Sequence, residues 1–262
     1  DLVRSRGLGD VYKRQVLDKE TIEALCDRRF GIGADGLIAV EPSQGKGGIV
    51  RMRYYNADGG EAEMCGNGAR CFGNFAAALL HHDKTAPLPF ETMAGVVTAT
   101  FEKDDNVTVN LTNPHSMQLF VLNADPTVGA DVHFLNTGVP HAVAFLDKLE
   151  GLDISRLGAY LRYHEAFSPK GTNANFARIL SPGHIAIRTY ERGVEDETLA
   201  CGTGMTACAL LHAVLTDAPS PIQVDVAGGD TLKVGFQRTG DRFTDVTLTG
   251  PADLVFTGDI QI

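Results

Sequence analysis

The chain has 262 residues, 44% hydrophobic and 21% charged, with 33 acidic against 23 basic side chains and a net charge of -10. That length fits about two average domains with ordinary cores, and the acidic balance speaks against nucleic acid as a partner, because phosphate binding needs a basic surface. No apolar run reaches the roughly 18 residues of a membrane span and the N-terminus lacks the apolar centre of a secretory signal, so the expectation is a soluble protein with no membrane partner.

Residues 17–29 read as a helix, with Ile22, Leu25 and Cys26 on one face at i, i+3, i+4 and charges opposite. A glycine-rich turn, Gly31-Ile32-Gly33-Ala34-Asp35-Gly36, precedes a strand at 37–40; the remainder of a dinucleotide fingerprint is missing, so a nucleotide cofactor is not expected. Residues 51–55 alternate like a strand, residues 69–80 form an alanine-rich helical run, and 96–101 with 107–111 read as a hairpin. In the second half a strand-rich stretch at 119–145 gives way to a polar helix near 157–164 and strands at 175–179 and 185–190. A helical run at 205–215 and strands at 222–226, 231–237, 244–248 and 254–262 follow.

The order strand, motif, helix, strand hairpin occurs twice, the signature of an internal duplication. The expected architecture is α/β (α+β): two pseudo-symmetric domains, 1–118 and 119–253, each a curved mixed sheet around a central helix, with the active site in the cleft between them. The final strand 254–262 is expected to return to the first domain, and both central helices are expected to be apolar all round.

The repeated motif carries the chemistry. Tyr55 leads through an acidic turn to Cys65-Gly66-Asn67-Gly68, and Tyr190 leads likewise to Cys201-Gly202-Thr203-Gly204. Each Cys-Gly-x-Gly opens a helical run, so both thiols are placed at helix N-termini, where free amides and the macrodipole lower a cysteine pKa from about 8.5 towards roughly 3.5–7.5. The same amides form a ready carboxylate site. A substrate α-carboxylate held there sets its α-carbon between two sulfurs: one thiolate takes the α-proton, the opposing thiol delivers a proton to the other face, and the centre inverts without a cofactor. One copy reads equally well as a buried cysteine beside a tight turn; two copies in register favour function.

The cysteines Cys26, Cys65, Cys71, Cys201 and Cys208 are odd in number in a chain too long for a disulfide scaffold, which points to the cytoplasm. Their spacings match no zinc pair, so no metal is expected. Cys26, Cys71 and Cys208 read as buried, inert thiols.

Together Asn56-Ala57-Asp58-Gly59, Met64-Cys65-Gly66-Asn67-Gly68-Ala69-Arg70-Cys71, Gly138-Val139-Pro140-His141, Asn173-Ala174-Asn175-Phe176, Glu191-Arg192-Gly193 and Cys201-Gly202-Thr203-Gly204 resemble diaminopimelate epimerase, from about residue 17 to the C-terminus. The resemblance implies interconversion of LL- and meso-2,6-diaminopimelate in lysine and peptidoglycan biosynthesis, with Cys65 and Cys201 as the acid/base pair. It implies that Gly66-Asn67 and Gly202-Thr203 hold the reacting carboxylate, and that Asn56, Asn173, Glu191 and Arg192 hold the distal amino-carboxyl end. His141 matches a histidine that tunes the thiols, with Glu191 beside it in that role, and the family's frequent homodimers extend to this chain as an expectation.

Two departures stand out. Val139 occupies the place of a substrate-contacting asparagine, and residues 1–15 do not match the family's opening strand and asparagine loop; they resemble the translated leader of a broken sequence end and are expected not to be native. The rival within the fold is a proline or hydroxyproline racemase, whose small substrate gives Arg192 and Asn173 nothing to hold. A dithiol redox protein normally places both cysteines in one Cys-x-x-Cys turn, and a catalytically dead amino-acid-binding module has no need of both thiols.

Overall fold

A computed structural model describes residues 17–62 and 65–260. The expectations for residues 1–15 and the contribution of Met64 to the motif lie outside this range. The chain divides into two compact units, one holding the described residues up to Val109 and those from Pro251 on, the other Asn110–Gly250. The division thus falls ahead of the expected position near residue 118.

In the first unit, helix α1 (Lys19–Cys26) is capped by the Asp18 carboxylate, which accepts the Thr21 amide, and buries Ile22, Leu25 and Cys26. Ile22 and Cys26 pack on Tyr55. Strands β1 (Gly36–Pro42) and β2 (Val50–Asn56) pair antiparallel, and the short β3 (Glu61–Ala62) pairs with β2. Helix α2 (Gly66–Leu79) crosses over to β4 (Leu88–Thr92), which lies parallel to β2; β5 (Gly95–Phe101) and β6 (Val107–Asn110) complete the sheet antiparallel. Sheet order is β1-β2-β4-β5-β6.

The second unit repeats this path. Strands β7 (His115–Asp125), β8 (Ala130–Asn136) and β9 (Pro140–Phe145) form an antiparallel meander, and helix α3 (Ile154–Arg162) follows. Strand β10 (Asn173–Ser181) pairs antiparallel with β11 (His184–Glu191), β12 (Asp196–Thr198) pairs with β11 as β3 does with β2, and α4 (Gly202–Thr216) crosses over to β13 (Ile222–Asp225), parallel to β11. The antiparallel β14 (Thr231–Thr239) and β15 (Arg242–Gly250) then match β5 and β6. The units are therefore mixed sheets of one duplicated topology, each with a central crossover helix.

The two crossover helices differ in burial. Met205, Thr206, Ala207, Cys208, Ala209, Leu210, Leu211, His212 and Ala213 of α4 are all buried, as expected of a helix apolar all round. Helix α2 departs from that expectation: Ala69, Phe72, Gly73, Ala76 and Ala77 are buried, but Cys71, Phe75 and Ala78 are exposed at i, i+4, i+7. Cys71 is accordingly not the buried thiol expected. The final strand is also corrected, since residues 251–260 have no regular secondary structure. Their backbone is held otherwise: the Pro251 and Ala252 carbonyls accept the side chains of Arg70 (3.5 Å) and Asn74 (2.7 Å) from α2.

One loop of the first unit hangs on a single carboxylate. Glu91 of β4 is buried and accepts the Ser43 hydroxyl at 2.7 Å and the Gln44 and Lys46 amides at 2.8 and 2.6 Å. Burial alone raises its pKa, but these donors and the Gly48 amide outweigh it and hold the value at about 2. The ionised form therefore contributes stability above the unfolded pKa of about 4.3, and that contribution is lost as pH falls towards 2. We expect Glu91→Gln to lower Tm at pH 7, with the gap to the parent closing between pH 4 and pH 2. An equal gap at both ends of that range removes the carboxylate's charge from the account.

Candidate active site

Each cysteine motif begins where an acidic turn leaves a strand. After β2, the Asn56 amide donates to the Gly60 carbonyl and the Gly59 amide to the Asn56 carbonyl, while Asp58 accepts the Gly60 amide. Gly59 sits at φ 74°, and a Cβ there would lie 2.5 Å from Lys19 Cγ, so only glycine closes this turn against α1. After β11, the Glu195 amide donates to the Glu191 carbonyl. The Glu195 carboxylate accepts the Arg162 guanidinium, the Tyr163 hydroxyl and the Gly193 amide. Sequence reasoning passed over Glu195, whose only signal was its place in the turn.

Cys65 is the N-cap of α2, and its sulfur accepts the Gly68 amide at 3.4 Å. Gly66 is buried and Asn67 half-buried; Asn67 Oδ1 accepts the buried Arg70 guanidinium at 3.0 Å. Asn56, at the end of β2, is exposed. The first unit thus contributes Cys65, Gly66, Asn67 and Asn56 on consecutive pieces of one strand, turn and helix start.

Cys201 is the N-cap of α4, buried, with its sulfur 3.5 Å from Thr203 Oγ1. Gly202 is buried, and the Thr203 carbonyl accepts the Thr137 hydroxyl at 2.9 Å. Beneath this turn three strands bring polar side chains together. His141 on β9 and Asn173 on β10 are register partners in the parallel pair, as are Asn175 and Thr189 across β10 and β11. Asn173 donates to the Pro140 carbonyl and accepts the Arg192 amide at 2.8 Å. The Arg192 guanidinium donates to the Lys170 carbonyl at 3.3 Å, and Glu191 accepts the Thr198 hydroxyl at 3.0 Å. The second unit so gathers Cys201, Gly202, Thr203, His141, Asn173, Glu191 and Arg192. The Val139 backbone carbonyl accepts the Thr137 amide at 3.1 Å.

His141 is completely buried; burial first, and the Arg192 charge second, push its pKa down to about 3. Both effects favour the neutral imidazole. Its partner Asn175, and Thr189 whose hydroxyl donates to the Asn175 oxygen, are both buried; sequence reasoning gave neither a role, although two asparagines at strand period in an apolar run were a signal. Cys208, about two turns along α4 from Cys201, is buried completely and burial drives its thiol pKa far up, which fits an inert role. A surface concavity lined by Asp217, Ala218, Phe236 and Arg238 lies at the opposite end of α4 and carries none of these groups. Among the described residues no cluster of metal-ligating side chains is present.

The fold is shared with solved structures of low sequence identity. A phenazine biosynthesis protein of the PhzF family from Bacillus anthracis superposes with a TM-score of 0.65 at 15% identity, covering 90% of this chain and 86% of that one. A probable proline racemase from Agrobacterium radiobacter K84 gives 0.64 at 18% identity, covering 94% and 82%. The shared fold defines a class, mixed α/β proteins of one two-domain architecture, and in this chain both crossover helices open on Cys-Gly-x-Gly. Within that class, the family model for diaminopimelate epimerase matches residues 8–117 and 133–255. A diaminopimelate epimerase of Flavobacterium psychrophilum is 43% identical over 265 residues, spanning 97% of this chain and 98% of its own length. The chain belongs to the diaminopimelate epimerase family and is an isomerase.

Proposed function

We propose that this protein interconverts LL- and meso-2,6-diaminopimelate without a cofactor, in lysine and peptidoglycan biosynthesis, with Cys65 and Cys201 as the acid/base pair. The observation that carries this reading is that both crossover helices begin with a cysteine as N-cap followed by Gly-x-Gly. One thiolate removes the α-proton, the other thiol returns a proton to the opposite face, and the first-turn amides at Gly66-Asn67 and Gly202-Thr203 stabilise the charge gathering on the carboxylate. The distal end of the substrate is held by Asn56, Asn173, Glu191 and Arg192, with asparagine amides as neutral donors, Glu191 for the ammonium and Arg192 for the carboxylate. The five free cysteines support a cytoplasmic setting, and the family resemblance supports a homodimer.

Incubation with LL-diaminopimelate and, separately, D-proline in D₂O, followed by NMR, tests the assignment. Deuterium at the α-carbon of diaminopimelate alone is the expected result; exchange only in proline transfers the chain to the racemase reading, and exchange in neither removes both. Arg192→Lys keeps the charge but loses the planar fork, so we expect diaminopimelate binding to weaken by roughly 1.5–3 kcal/mol, the scale of a charged hydrogen bond. Unchanged KM in this variant takes Arg192 out of the distal clamp.

A further inference from the structure

The amide of Asn175 is completely buried, and its orientation is fixed by its neighbours. Its nitrogen lies 3.0 Å from the Ala142 carbonyl, an acceptor only, so the nitrogen must face there; its oxygen accepts the Thr189 hydroxyl at 3.0 Å. The second amide hydrogen then points at His141 Nδ1, 3.1 Å away. Nδ1 must accept, and the ring proton of the neutral imidazole is left on Nε2. That Nε2 is buried and has no hydrogen-bond partner among the described residues. A buried donor of this kind is costly until something accepts from it. The same Asn175 oxygen lies where a Cβ on Gly204 would approach to 2.4 Å, so the amide sits directly under the first turn of α4 that Cys201 caps.

We propose that Asn175 is a positioning residue that holds His141 in its Nε2–H tautomer, keeping a neutral N–H donor beside the start of α4 for the carboxylate of the bound amino acid. This rests on the epimerase reading. A neutral donor suits that place, because it strengthens as charge collects on the carboxylate and its N–H is far too weakly acidic to lose its proton to the thiolate. His141 and Asn175 then act as one unit, and the histidine works through hydrogen bonding rather than through titration.

The test is the ¹⁵N resonances of the His141 ring in the intact protein, with and without saturating diaminopimelate. In the parent we expect an unprotonated Nδ1 and a protonated Nε2, and a downfield move of the Nε2 proton on saturation. Asn175→Asp places an acceptor opposite Nδ1; we expect the ring proton to move to Nδ1 and kcat/KM to fall roughly 10–100-fold, the loss of one charge-assisted hydrogen bond. Should Asn175→Asp fail to fold, the parent spectra alone decide. An Nδ1–H tautomer in the parent, or an Nε2 proton that does not respond to substrate, overturns the proposal while α-deuteration continues. Absence of α-deuteration in the parent instead removes the epimerase reading itself.

Discussion

Cys65→Ser and Cys201→Ser are each expected to cut epimerisation by roughly 10²–10⁴-fold, the range that a positioned acid or base supplies. On the proposed mechanism each thiol serves one face of the α-carbon, so the loss of either interrupts the inversion, and a hydroxyl is too weak an acid to stand in for a thiol near neutral pH. The substitution changes one atom at an N-cap whose neighbours are backbone amides and Thr203, so circular dichroism should be unchanged. Cys71→Ser is the control: that side chain is exposed on α2 and is expected to keep parental turnover. Near-parental activity in either of the first two variants, with the fold intact, ends the two-thiol mechanism.

The duplicated motifs make a second, sharper expectation, because equivalent glycines have different surroundings. A Cβ at Gly68 meets nothing nearer than 3.4 Å, with Cys65 Cβ and Met52 Cε as its neighbours. A Cβ at Gly204 would stand 2.4 Å from the Asn175 oxygen, in a network with no slack. Gly204→Ala should therefore cost roughly 1–3 kcal/mol through overpacking. Gly68→Ala should be near neutral or stabilising by up to about 1 kcal/mol, from the better helix propensity of alanine. Urea melts of the two variants compare them directly, and equal midpoints would falsify the steric account of Gly204.

Much of this architecture was legible because its signals are local. The alternation in β2, β10 and β11, the alanine-rich runs and the repeated Cys-Gly-x-Gly each state a period or a cap. Strand β4 escaped notice because Pro87 and Pro89 demote such a run; the structure accommodates Pro89 because pairing with β2 begins only at Phe90. The exposed stripe of α2 escaped because alanine reads the same on an inner or an outer face. The edge strand β7 looks regular in sequence, yet Ser116, Phe120 and Ala124 have φ near 50°, and its ladder shifts register three times. Side chains of β8 make this tolerable: His133 accepts the Phe120 amide and Asp131 the Ala124 amide. In the site, Cys65, Cys201, His141, Glu191 and Arg192 could be named in advance. Asn175 and Thr189 could not, since a buried amide acquires its meaning only from the partners that strand register supplies.

The attachment of Pro251 and Ala252 to Arg70 and Asn74 has a bearing on how the protein is made. The second unit is one unbroken segment, Asn110–Gly250, whereas the first is assembled from two separate stretches of chain. During vectorial synthesis the ribosome delivers every residue of the second unit before it delivers the strap that clasps α2. The half encoded first is thus completed only after the second, and its central helix waits for two backbone acceptors until Pro251 and Ala252 emerge.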